Sequence, residues 1–333
     1  MNVSKLNNFD FLRLFAATCV IVTHSFELTE HYNIEPLRVL SNGQINLGRL
    51  GVIIFFMISG FLITKSITEN PSIKHFFKSR LLRIVPGLAA VVILTVMIVG
   101  PLATTLSLKD YFFNEKTLDY FKSITIYNMK YRLPGVFQTH ADTGVNGSLW
   151  TLSIEFTCYL YVAILSLTRQ LSKITIAILL TAAIISPIIH FEPNSRFLNN
   201  NTIDFFRYFA IGMLFYLAKD NIKYNTSYLA MAIISLIASC IYGKYFNELF
   251  ILSGAYIVFY IALHPQLNLR KLTKHGDFSY GLYIFAFPVQ QSIIHFLGKD
   301  LVTNLALTLI ITIPLAVMSW NLVEKPCLAL KNN

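Results

Sequence analysis

The sequence predicts an all-α polytopic membrane protein, a bundle of about ten transmembrane helices around a central polar passage. Three observations point there. Of the 333 residues, 55% are hydrophobic and only 13% charged, where a soluble domain holds about one quarter charged; mean hydropathy is +0.57. Apolar runs of helical length follow one another along the chain, without the alternating pattern of an outer-membrane barrel. Lys and Arg gather mainly between the runs, where they act as topology signals.

The net charge of +10 is therefore no argument for nucleic acid. Cys19, Cys158, Cys240 and Cys327 lie singly in or beside apolar segments, with no CxxC to suggest metal ligands and no disulfide framework. No metal is expected. The N-terminus carries Lys5 before an apolar run but no small-residue cleavage pattern, which predicts an uncleaved signal anchor.

Ten spans are expected, near 9–27, 48–67, 84–106, 147–168, 173–190, 204–219, 226–243, 248–264, 278–297 and 301–322. With the N-terminus cytoplasmic, inside segments hold fifteen Lys and Arg and outside segments nine, five of those in the long loop 108–146. Arg13, Arg49 and Arg207 fall within or at the edge of spans. The positive-inside rule then puts both termini in the cytoplasm. No internal repeat, low-complexity tract or soluble domain interrupts 1–333, which reads as a single membrane domain.

In the first span, Arg13 and His24 are eleven residues apart, close to three helical turns, so both project from one face about 16 Å apart. Ionisable groups in a span usually face a bundle interior or a wet cavity. Alone, His24 reads first as an interfacial histidine, and Arg13 as a cation snorkelling to headgroups; one wet face accounts for both. Imidazole there would serve as a general base.

The second span places Gly51, Ser59 and Gly60 where small residues permit close helix approach. Between spans two and three, Arg80 and Arg83 are neighbours on a helix and suit phosphate; an ordinary inside-positive loop touching anionic lipid is the competing reading. The aromatic loop 108–146 fits a short amphipathic helix on the bilayer surface, or an aromatic floor for a glycan.

The fourth span opens Asn146-Gly147-Ser148-Leu149-Trp150 and carries Glu155 about 12 Å inside. No other acidic residue stands as deep by this map, so Glu155 is expected either to partner an arginine or to tune an imidazole. Trp150 also suits the interfacial aromatic belt. In the ninth span Pro288 must free a backbone carbonyl that needs another partner; Tyr280 and Gln290 are candidate cavity polar groups. Trp320 to Pro326 reads as an inner-face anchor.

These landmarks together resemble the acyltransferase 3 family over nearly the whole chain: Arg13 with His24, the run GVIIFFMISGFLIT, Arg80-x-x-Arg83 with Pro86, Leu149 to Leu152 with Glu155, Ser279-Tyr280-Gly281, and Glu324-Lys325-Pro326. The size resembles stand-alone bacterial O-antigen acetyltransferases, including phage-encoded serotype-converting ones. Ala286 stands where many members have histidine, and Lys325 where arginine is more common.

The resemblance implies a bacterial inner-membrane O-acetyltransferase. Acetyl-CoA, as cytosolic acyl donor, would meet Arg80, Arg83 and Arg13. His24 would act as general base on a sugar hydroxyl of a lipid-linked glycan, with Glu155 orienting the imidazole. Asn146, Trp150, Tyr280 and Gln290 would contact substrate. Direct attack and an acetyl-histidine intermediate both stay open. A lipid-glycan flippase would use the same passage, and peptidoglycan or a small lipid are alternative acceptors.

Overall fold

The computed structural model describes residues 8–332 apart from 192, 194, 196, 274 and 275. Lys5, Arg196 and Lys274, counted above as topology signals, lie outside the described residues. Among the described residues there is no strand, only an isolated bridge between Thr104 and Val136. Helices form over each of the ten expected runs: α1 Phe9–Leu28, α2 Leu47–Glu69, α3 Ile73–Ala103, α4 Gly147–Leu167, α5 Lys173–Ile185, α6 Asn200–Leu217, α7 Thr226–Tyr242, α8 Phe246–Leu263, α9 Ser279–Leu297 and α10 Leu301–Ala329. Six of them, α1, α2, α3, α4, α8 and α10, are long and apolar enough to cross a membrane. Helices α5 and α7 are apolar but shorter, 13 and 17 residues.

The sequence punctuates these helices with caps. Asn46, Ser172, Asn199, Asn225 and Asp300 each accept a hydrogen bond from a backbone N–H of the turn that follows, satisfying donors that a helix start leaves orphaned. In the loop 108–146, Ser107 and Asn114 cap two short helices, Leu108–Phe112 and Glu115–Tyr120.

The chain packs as two compact units. One comprises Met1–Ala16, Pro36–Phe76 and Ile154–His275. Its core is set by backbone contact between α2 and α6: a Cβ on Gly60 would overlap the carbonyl of Phe209, and one on Gly212 that of Met57. Only glycine permits this approach. Phe9, Phe61 and Phe259 fill the space beside it, with ring centroids 5.2 to 6.5 Å apart, in the tilted and edge-on geometry that aromatic quadrupoles favour.

The other unit comprises Ala17–Glu35, Phe77–Ser153 and Gly276–Asn333. Helices α9 and α10 are its axis, and a Cβ on Gly281 would stand 2.9 Å from the Cα of Ala316. Helix α3 here carries a π turn at Thr95–Val99. Such a turn breaks the regular ladder, and the buried Tyr111 hydroxyl donates to the Val96 carbonyl at 3.0 Å. Gly100 leaves room for that phenol, since a Cβ would collide with it.

Candidate active site

Helix α1 ends in the pair His24 and Glu27, one turn apart and so neighbours on the helix surface. The Nδ1 atom of His24 lies 3.2 Å from Glu27 Oε2, and the imidazole is 20% exposed. The ring meets Phe287 of α9 edge-on, centroids 5.0 Å apart. When the carboxylate accepts a hydrogen bond from Nδ1–H, the Nε2 lone pair is left to take a proton.

Glu155 sits in different company. Its carboxylate accepts from Ser59 Oγ at 2.8 Å and from Tyr159 OH at 2.6 Å, all within the first unit. Depth along an apolar run does not coincide with enclosure here. Glu35 and Glu324 are only 0% and 1% exposed, whereas Glu155 keeps intermediate exposure. Position along an apolar run measures distance from a helix end, not enclosure by neighbouring elements. Arg13 pairs with Asp10 at 3.9 Å on the opening turn of α1.

Arg83 is the hub of a second cluster. Its guanidinium bonds Asp277 and stands 3.9 Å from Glu324 Oε2. It also lies over the rings of Tyr280 and Trp320, 5.9 and 5.7 Å to the centroids, as cation–π contact requires. Two backbone features admit these rings. A Cβ on Gly87 would fall 2.6 Å from the Tyr280 ring, and Gly276, at φ +140, lies against Trp320. Tyr280 OH then donates to the Ile84 carbonyl at 2.8 Å. Glu324 closes a π turn, Trp320–Glu324, and accepts from Ser319 Oγ at 2.8 Å. Two carboxylates thus face one guanidinium. Arg80, one turn before Arg83, is half-buried, with Nε 3.2 Å from Ser79 Oγ.

Helix α9 ties these groups together. Pro288 has no N–H for the carbonyl of Ile284, and Asn146 Nδ2 supplies the missing donor at 2.9 Å. Asn146 Oδ1 meanwhile accepts from Ser148 N at 3.2 Å. The fully buried Gln290 donates to the Ile21 carbonyl and Ser25 Oγ, both at 2.8 Å, anchoring α1. Asn146 and Gln290 thus hold the scaffold as placed, while Trp150, at the start of α4, is partly exposed. Ala286 is buried. Among the described residues no group of three or more His, Cys, Asp or Glu is arranged to hold a metal ion.

Sequence reasoning passed over Glu27, Asp277 and Gln291. The i, i+3 spacing from His24 was a usable signal for Glu27. Nothing local marks Asp277, which reaches Arg83 across 194 residues of chain.

Residues 6–321 match the Acyl_transf_3 family model, described as an acyltransferase domain. The chain belongs to the acyltransferase 3 family. This membrane acyltransferase is 32% identical to an O-acetyl transferase of Shigella phage Sf6, over 96% of each chain. It is 28% identical to Nodulation protein 10 of Rhizobium leguminosarum bv. viciae, over 98% of this chain and 94% of that one. No solved structure matches the acyltransferase.

Proposed function

We propose that this acyltransferase moves an acetyl group from cytosolic acetyl-CoA to a sugar hydroxyl of a lipid-linked surface polysaccharide of the O-antigen kind. It would do so in the bacterial inner membrane with both termini cytoplasmic. The likeness to a phage protein named O-acetyl transferase supports transfer of an acetyl group to an oxygen. The observation that carries the reading is the register of α9. Tyr280, under Arg83, and Phe287, against His24, are seven residues apart; that is two turns, so they share a face about 10 Å apart along the axis.

The cationic end receives the donor. The phosphates are assigned to Arg80, with Lys74 and Lys78 on the same helix, while Arg83, bound to Asp277 and near Glu324, fixes the wall behind them. The acceptor hydroxyl gives its proton to His24 Nε2 as its oxygen attacks the thioester carbonyl. The C–S bond breaks, and the coenzyme A thiolate takes the proton from the imidazolium. Glu27 holds Nδ1–H throughout.

The test is to supply radiolabelled acetyl-CoA to membranes containing the protein and follow the label into polysaccharide. Wild type should transfer label, and His24→Ala, at equal abundance, should not. Movement of glycan across the membrane without labelling would instead mark a flippase.

A further inference from the structure

The marks along α9 continue beyond His24. Gln291 is one turn past Phe287, about 6 Å further along the same face. Its amide donates to the carbonyls of Asp142 and Gly144 at 2.7 and 2.6 Å. Asp142 and Gly144 form one wall of a cavity of about 510 Å³ in the 108–146 loop, whose other walls include Lys116, Lys130, Arg132, Asp119 and Tyr131. The loop backbone is tied shut there: Val145 N donates to the Tyr131 carbonyl at 2.6 Å, and Gly144 N to Asp142 Oδ1 at 2.7 Å. This volume suits a small ligand.

The charges lining it do not cancel. Asp119 is taken by Lys122 at 2.5 Å and Lys130 at 3.7 Å, and Asp142 is partly met by the Gly144 N–H. Lys116 and Arg132 have no ion-pair partner among the described residues. Cations held without partners at the rim of a small cavity favour an oxyanion, and a guanidinium favours one it can fork onto. Tyr131 and the accepting oxygens of Asp142 add what hydroxyls need.

We propose that this cavity is the acceptor subsite and that it takes a saccharide bearing a carboxylate or phosphate, with Lys116 and Arg132 selecting the charge. The proposal rests on the acetyl-transfer reading for its meaning, but its test needs no turnover. Purified full-length protein in neutral detergent is titrated with glucuronate, glucose 1-phosphate and glucose, and binding is followed by calorimetry.

At least one charged sugar should bind saturably and about tenfold more tightly than glucose, and Lys116→Ala with Arg132→Ala should remove that preference. Whichever charged sugar binds identifies the group as carboxylate or phosphate. Unchanged circular dichroism and unfolding temperature in the double variant, with Arg132→Lys keeping part of the preference, would exclude a folding defect. Equal affinity for all three sugars, an unchanged preference in the double variant, or saturation only by phosphatidylglycerol vesicles would overturn the proposal. Loss of acetyl transfer in His24→Ala with sugar binding intact would separate this subsite from the catalytic assignment.

Discussion

Tyr280 and Phe287 stand two turns apart on one face of α9, the first beneath the Arg83 guanidinium and the second edge-on to the His24 imidazole. A single helix therefore fixes the spacing between the Arg83 ion cluster and a base. Rotating or sliding α9 would disturb both at once, and α9 is accordingly pinned at several points: by Asn146 at Ile284, through Gln290 to α1 and through Gln291 to the loop.

The pair at the end of α1 gives the first expectation. His24→Ala should lower acetyl transfer by about 10²- to 10⁴-fold, the span typical of a general base. Glu27→Gln should lower it less, because the amide can still contact the ring but no longer neutralises the imidazolium that forms in the step. Glu155→Gln disturbs the hydroxyls of Ser59 and Tyr159, neither of them part of the reacting imidazole's hydrogen bond to Glu27, so Glu27 should be the more sensitive carboxylate. Initial rates of the three variants in matched membranes decide it.

Arg83 gives the second. Glu324 is 1% exposed and its Oε2 has the guanidinium as its near cation. Removing one partner strands a buried charge, a loss of about 3–5 kcal/mol. Arg83→Met should therefore depress the unfolding temperature sharply, and adding Asp277→Asn with Glu324→Gln should recover most of it. Thermal unfolding in one detergent, with no recovery in the triple variant, would refute this account of the Arg83 cluster.

The loop carries a pH signature. The hydrogen bond and charge of Lys122, with Lys130 behind it, hold the Asp119 carboxyl below the usual carboxylate range. A folded-state value below the unfolded one means a stabilisation present at neutral pH and lost as pH falls through the depressed value. Amide protection across 115–132, each rate taken relative to its intrinsic rate at that pH, should stay flat on acidification until below about pH 4, the ordinary aspartate range, and Asp119→Asn should abolish the change. Loss of protection near pH 6 would contradict this assignment.

Much of this was legible in the chain itself. Apolar runs located the helices, because a span must satisfy its backbone internally, and Pro288 announced a carbonyl in need of a donor. The small residue Gly60 announced a close helix crossing, which α2 and α6 make. Long-range pairing was not legible. Arg83 looks like a phosphate ligand in the sequence, yet Asp277 and Glu324 reach it from distant segments, and no local pattern encodes that meeting. Glu155 illustrates the same gap, since depth along a helix says nothing about which hydroxyls arrive from α2.

The proline repair offers the cleanest test of the scaffold. Asn146 does two things: Oδ1 caps the start of α4 and Nδ2 serves the Ile284 carbonyl. Asn146→Ser keeps a capping oxygen but is too short to reach Ile284, leaving a buried acceptor bare at a cost of about 1–3 kcal/mol. Pro288→Ala restores the N–H that α9 lacks, so the two changes should couple. Asn146→Ser alone should lower the unfolding temperature, Pro288→Ala alone should alter it little, and the double variant should stand well above Asn146→Ser. Strictly additive effects would mean that the amide and the missing N–H do not address the same carbonyl. Acetyl transfer should follow the same order as stability, because α9 is what holds Phe287 against His24 and Tyr280 beneath Arg83.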